Sequence, residues 1–247
     1  MAYLVTGGCG FVGCNLTAEL IRRGEQVLVL DNLARPGSPT NLEWLRQRGN
    51  FEFFHADIRN SHDLEVVFRK HEVECIFHLA GQVAMTTSLE NPRRDFEVNV
   101  MGSINVLECV RRLAPNSTVV YASSNKVYGE LDDIHLIETP TRYEPLGKKE
   151  IDELVRLEFF TPYGCSKGAA DQYMQEYARN FALNTVVFRH STIYGGRQIS
   201  TFTKGGWGGF VKRRSKPSRI LQRLSPLTEM ENKYGICCMC LMPLHVI

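Results

Sequence analysis

Two residues four apart, Tyr163 and Lys167, carry the most explicit chemistry in this chain of 247 residues. At the start of a predicted helix that spacing is one turn, so both side chains project from one face. An ammonium beside a phenol favours the phenolate and is expected to lower its pKa. The pair can then serve as a general base with its activator. Tyr-x3-Lys also arises by chance, with a solvated surface pair as the plain alternative. Upstream, Tyr121-Ala122-Ser123-Ser124-Asn125 leaves an apolar run and delivers hydroxyls to its carboxyl end.

A second group of residues suits a dinucleotide. Gly7, Gly10 and Gly13 fall three apart between an apolar run and a helical pattern. Gly7 permits a tight turn, Gly10 lets amides approach a pyrophosphate, and Gly13 allows close helix–strand packing. The helix start behind them, Phe11 and Val12, offers free N–H groups and a partial positive charge. The next apolar run ends in Asp31, placed to accept from an adenosine ribose, with Asn32 beside it. An acid there favours NAD, because the extra phosphate of NADP would meet a like charge. The alternative is an ordinary strand–turn–helix with Asp31 in solvent. Asp57 follows a third apolar run. It can reach the adenine amino group with Ile58 covering the ring, or cap the next helix. Asn99 lies in a helical stretch, where a helix–helix hydrogen bond is the plain reading.

The elements that must position these groups follow from periodicity. Leu4–Thr6, Gln26–Leu30, Glu52–His55, Cys75–His78, Val119–Ala122 and Thr185–Phe188 read as strands, apolar on both faces like a buried parallel sheet. Helical patterns fill 11–23, 61–71, 92–113 and 162–181 between them. This alternation predicts an α/β doubly wound parallel sheet, a Rossmann fold, with ligands at the carboxyl ends of its strands. The stretch 130–160 has no clean period and is expected to hold loops with a short helix.

Composition adds limits. A hydrophobic share of 43% and a charged share of 23% are ordinary globular values and argue against disorder or a coiled coil. No apolar run approaches a membrane span, and the start shows no basic and apolar leader, so a cytoplasmic protein is expected. The net charge of +2 hides an asymmetry: residues 203–247 hold eight Lys/Arg against two Asp/Glu. Such a tail suits nucleic acid or anionic lipid if it is native sequence. Cys9, Cys14, Cys75, Cys109 and Cys165 read as reduced, buried thiols. Cys237, Cys238 and Cys240 lack the spacing and partners of a zinc site, so no metal is expected.

Together these residues resemble the extended short-chain dehydrogenase/reductase family of nucleotide-sugar epimerases and dehydratases. The likeness runs through Asp31-Asn32-Leu33 to Asn41-Leu42, Phe53 to Asn60, His78 to Ser88, Ser123 to Gly129, Pro162 to Tyr173, Phe188 to Thr192 and Tyr194 to Gln198. It is nearest to members that invert C2 of a CDP-sugar. The resemblance implies NAD as cofactor and a nucleotide sugar, a CDP-sugar, as substrate. It implies neither nucleic acid nor membrane as partner, and a homodimer or tetramer for the parent enzyme. Ser124, Tyr163 and Lys167 become the catalytic triad, with Asn99 supporting Lys167 through a water. Cofactor contacts extend to Leu79, Ala80, Gln82, Asn99, Ser123, Tyr163, Lys167 and Arg189. Val83, Ser88, Ser124, Asn125, Tyr163, His190 and Ser191 are expected around the sugar. The family's 4,6-dehydratases carry Asp-Glu directly after the catalytic hydroxyl, where this chain has Asn125 and Lys126. Asn cannot shuttle a proton at neutral pH, which disfavours elimination and leaves reversible oxidation. Another nucleotide-sugar epimerase, of the UDP-sugar 4-epimerase type, and a non-catalytic NAD-binding protein are the competing readings. Proteins of the latter kind typically lose the Tyr-x3-Lys pair that this chain retains.

The resemblance stops at Phe202. Back-translating Phe202 to Val211 and reading one base earlier permits Gln-Gly-Trp-Val-Gly-Trp-Phe, the run with which the family continues. The same shift over Met230 to Met239 permits Gly-Lys-Gln-Val-Arg-Asp, which resembles its substrate domain. Residues 1–202 are therefore expected to form the NAD-binding domain with the catalytic residues. Residues 203–247 are expected to be an off-frame, unstructured tail in place of the C-terminal substrate domain.

Overall fold

Val27-Leu28-Val29-Leu30 is apolar at every position, and such a strand needs cover on both faces. The computed structural model, which describes residues 1–131, 134–141, 143–147, 152–199 and 236–238, provides it. Six parallel strands form one sheet: β1 (Ala2–Thr6), β2 (Val27–Asp31), β3 (Glu52–His55), β4 (Val73–His78), β5 (Thr118–Ala122) and, later in the chain, β8 (Asn184–Phe188). Their spatial order is β3-β2-β1-β4-β5-β8, with the reversal between β1 and β4. Ligands of doubly wound sheets bind at that switch point, beyond the carboxyl ends of the strands.

The helices α1 (Phe11–Arg22), α2 (Ser38–Arg46) and α3 (Ser61–Lys70) lie between the early strands. After β4 come α4 (Met85–Glu90), α5 (Pro92–Phe96), a π-helical turn (Glu97–Met101) and α6 (Gly102–Leu113). The long α7 (Thr161–Phe181) precedes β8. Alternate strand residues divide between two cores. Leu4, Leu28, Leu30, Ile76 and Val119 pack with Leu64, Val67, Leu107, Ala170 and Met174. On the other face Val5, Val27 and Val29 pack with Leu20 and Leu42. Each such aliphatic side chain contributes about 1.5–3 kcal/mol when fully buried.

The predicted sheet and its four helical stretches are present. The stretch 92–113, predicted as one helix, runs through a π turn at Glu97–Met101. The helices α2 and α4 were not predicted. Pro39 at the start of α2 suits a first helical turn but reads in sequence as a loop. Among the described residues of 130–160 there is no helix. Instead β6 (Leu136–Glu138) and β7 (Tyr143–Pro145) pair antiparallel. Of the expected unstructured tail, only Ile236–Cys238 is described, as β10, whose backbone pairs antiparallel with β9 (Ile193–Gly195). The remainder of that expectation lies outside the described residues. Cys165, expected buried, is exposed on α7, because Tyr163, Ser166 and Lys167 take the inward face. Among the described residues no helix is long and apolar enough to cross a membrane.

Candidate active site

The glycine turn is built by close approach. Gly7 has φ +68°, and a Cβ there would stand 2.7 Å from the main chain of Ala80. A Cβ on Gly13 would lie 2.2 Å from the Gly7 carbonyl oxygen. Only glycine lets α1 rest directly on the loop that starts it. No side chain caps α1, and its first turn holds no acid, so the N–H groups of Phe11, Val12 and Gly13 face the switch point without a competing anion.

Asp31 is buried, which removes the solvent-exposed alternative. One carboxylate oxygen accepts Cys9 N–H at 2.9 Å and the other accepts Leu33 N–H at 2.8 Å. These bonds hold the carboxylate at the end of β2 and leave lone pairs for a ligand. Burial nevertheless raises its pKa, against the pull of the two amides. Asn32 donates to Asp57 at 2.9 Å, and Arg59 forks onto Asp57 at 3.0 and 2.7 Å. That guanidinium above all holds Asp57 down at about 2. Asp57 is not the helix cap: Asn60 caps α3 by accepting from His62 N–H at 3.1 Å.

The turn after β5 and the start of α7 pack together beyond the carboxyl end of β5. Ser124, Tyr163 and Lys167 are 5%, 8% and 5% exposed. Ser124 Oγ accepts Lys126 N–H at 3.2 Å, starting a 3-10 turn, and its hydroxyl is close enough to the Tyr163 phenol to act on its ionisation. The expectation of a lowered phenol pKa is overturned. Burial dominates and holds Tyr163 above its ordinary value, with the nearby Ser124 hydroxyl acting the other way. The lysine ammonium is itself desolvated, which brings Lys167 down to about 8. The π turn bends its helix at Asn99, a common place for functional side chains. The Asn99 amide meets Gln82 of the loop after β4 and Ser166 of α7, so the helix–helix bond is real.

Comparison with known proteins agrees with this geometry. The GDP-mannose 4,6 dehydratase family matches residues 4–213, which carries the likeness past Phe202. The chain belongs to this family, within the extended short-chain dehydrogenases/reductases. It is 53% identical over 214 residues to a CDP-paratose 2-epimerase of Salmonella typhi, covering 86% of this chain and 63% of that protein. A putative UDP-glucose 4-epimerase of Methanocaldococcus jannaschii is 34% identical over 195 residues, covering 79% and 57%. Among solved structures, a Thermotoga maritima UDP-glucose 4-epimerase with UDP-glucose superposes with TM-score 0.72 at 29% identity, covering 86% of this chain and 62% of that one. A Thermus thermophilus UDP-glucose 4-epimerase in complex with NAD gives 0.68 at 31%, covering 86% and 61%. The chain thus spans less than two thirds of the length of these relatives.

Within this family's fold, several expected site residues are placed differently from the sequence reading. Ile58 is 4% exposed and packs against Gly102, so its side chain belongs to the core. Its carbonyl accepts from Asn105 at 3.0 Å. Ser88 is fully buried; its hydroxyl donates to Met85 O at 2.6 Å and accepts from Tyr163 N–H at 3.2 Å. It therefore braces the start of α7. Arg189 is committed to Asp171 through two bonds of 2.9 Å, and Ser123 donates to the same carboxylate at 2.7 Å. Their side chains form a strut behind the site. Leu79 and Ala80 close over the glycine turn, Ala80 N–H donating to Thr6 Oγ1 at 3.3 Å. Val83 is exposed, and Asn125 N–H donates to His190 O at 3.0 Å, joining the β5 and β8 loops. Burial lowers the His190 pKa.

Sequence reasoning missed Asp95, Ser166, His78 and Asp171. Of these only Asp95 was legible in spacing, four residues before the predicted Asn99 on a helical stretch.

Proposed function

We propose that this chain carries the catalytic body of a nucleotide-sugar epimerase that inverts C2 of a CDP-sugar, converting CDP-paratose to CDP-tyvelose. The convergence of Ser124, Tyr163 and Lys167 beside an uncapped helix at the switch point carries the reading. The C2 position and the sugar rest on the likeness to the Salmonella typhi protein.

NAD fits the residues present. Gly7, Gly10, Phe11, Val12 and Gly13 would hold the pyrophosphate, Asp31 and Asn32 the adenosine ribose, and Asp57 with the Ile58 amide the adenine. The main-chain carbonyls of Leu79 and Ala80 and the Ser123 main chain, with Tyr163 and Lys167, would hold the nicotinamide end, while Gln82 and Asn99, bonded to each other, would wall it. When bound, the dinucleotide supplies reversible hydride uptake, so oxidation of C2 to a transient keto sugar and its reduction from the other face leave no net redox change.

The chain's own residues handle the proton. Ser124 holds the C2 hydroxyl, and Tyr163 Oη removes its proton and later returns it. A phenol raised by burial becomes a base only when positive charge arrives beside it, so base function requires the loaded site. Val83, Asn125, His190 and Ser191 line the space in which the keto sugar turns. Asn125 and Lys126, in place of an acid pair, disfavour water elimination.

A UDP-sugar 4-epimerase is the second reading, favoured by the likeness to enzymes of that name. Residues 203–247 are proposed to be off-frame sequence, although the family match reaches residue 213, and turnover is expected only from a frame-restored chain. Sequencing the coding DNA across Ser200–Lys204 tests the tail, and an unbroken frame refutes it. A frame-restored protein is then assayed with CDP-paratose and UDP-glucose. Turnover of the former, abolished by Tyr163→Phe, is expected; turnover of UDP-glucose alone rejects the C2 assignment.

A further inference from the structure

We propose that Asp95 is a positioning residue of this site: through Ser166 and Gln82 it fixes the Asn99 amide, and it is the buried counter-charge of Lys167. Asp95 is 1% exposed. One carboxylate oxygen accepts the Ser166 hydroxyl, and the other accepts Gln82 Nε2 at 2.8 Å. Ser166 Oγ accepts in turn from Asn99 Nδ2 at 2.9 Å. The Asn99 amide closes on the Gln82 main chain, with Nδ2 donating to its carbonyl at 3.0 Å and Oδ1 accepting its N–H at 2.8 Å. Asp95, Ser166, Asn99 and Gln82 therefore form a closed ring of hydrogen bonds. The ring joins the loop after β4, the α5–π segment and α7. In such a ring every member restrains the others, and a carboxylate is the strongest acceptor available to close it.

The ring also borders the lysine. A Cβ placed on Gly81 would lie 3.0 Å from Asn99 Oδ1 and 3.8 Å from Lys167 Nζ. A buried carboxylate and a buried ammonium are each costly unless balanced. The charged and titratable groups around Lys167 are Asp95 on α5, Tyr163 and Asp171 on α7, Tyr121 on β5, His78 on β4 and His190 after β8. Asp171 is already forked by Arg189. His78 is held neutral by burial and bonded to Thr6 and Ser103 at 2.8 and 2.9 Å. Among the described carboxylates acting on Lys167, Asp95 is the one that no arginine engages, and burial raises its own pKa.

The inference rests on the proposed function for its purpose, but its test does not. Lys167 Nζ is titrated by 15N NMR in the whole, ligand-free chain, with Lys167→Arg for assignment. Asp95→Asn, nearly isosteric but uncharged, is expected to lower the midpoint by about one pH unit. Ser166→Ala keeps the charge and is expected to leave the midpoint in place. It should weaken NAD binding about three- to tenfold, with Ser166→Thr restoring it. An unchanged midpoint in folded Asp95→Asn overturns the proposal. So does unchanged NAD affinity in folded Ser166→Ala, the deciding variant if Asp95→Asn fails to fold. A parent chain that binds no NAD at all counts against the proposed function, while the titration still decides the role of Asp95.

Discussion

The Lys167 ammonium stands 4.4 Å from the centre of the Tyr121 ring. A cation on an aromatic face recovers part of its lost hydration. Asp95 and Asp171 add to that, yet burial prevails and Lys167 titrates at about 8 instead of 10.5. Because the folded value lies below the unfolded one, the unfolded chain binds more protons between about pH 8 and 10.5. Stability contributed at this site therefore rises with pH across that window. Lys167→Met is expected to be more stable than the parent below pH 8, by on the order of 3 kcal/mol, with the gap closing by about pH 10.5. Urea unfolding at a series of pH values measures it, and a gap that does not change with pH contradicts the argument.

Asp31 is expected to select the dinucleotide. Removing a charged hydrogen-bond acceptor costs about 1.5–3 kcal/mol, so Asp31→Ala should weaken NAD binding at least about tenfold. NADP binding should fall less, because the repelling charge has gone. Calorimetric titration with both dinucleotides checks the ratio; an unaltered preference places selectivity elsewhere.

Gly13→Ala sets a methyl group against the carbonyl oxygen of Gly7, 2.2 Å away in the unshifted backbone. The obstacle is main chain, so α1 must move off the turn. A loss of about 1–3 kcal/mol in stability is expected, together with NAD affinity, since the moved amides no longer converge. Thermal unfolding with and without NAD reads both; a variant as stable and as well stabilised by NAD as the parent refutes the packing role.

Asp171 anchors the strut behind the site. It is fully buried and takes bonds from Arg189, Ser123 and Gln175. Asp171→Ala leaves a guanidinium without its partner and is expected to cost about 3–5 kcal/mol. Asp171→Leu combined with Arg189→Met should recover most of that loss, because neither charge is then orphaned. Chemical denaturation of the three proteins decides it, and an additive double variant rejects the coupling.

The sequence by itself determined the sheet, the glycine turn and the Tyr163–Lys167 pair. All three are local: two-sided apolar runs, a three-residue glycine interval and a helical repeat are each written in neighbouring residues. It also placed Asp31 at the end of β2, since strand length fixes where a strand must stop. What only the tertiary structure decided depends on distant segments meeting. Asp95 and Ser166 are far apart in the chain and touch only because α5 and α7 pack together. Ser88, Ser123 and Arg189 look like ligand groups in sequence but become internal braces once their partners arrive. The phenol of Tyr163 shows the same limit. Spacing places a cation on its helix face, but the direction of its pKa is a balance of charge against burial. Burial is set by every element that closes over the site, and no short stretch of sequence contains it.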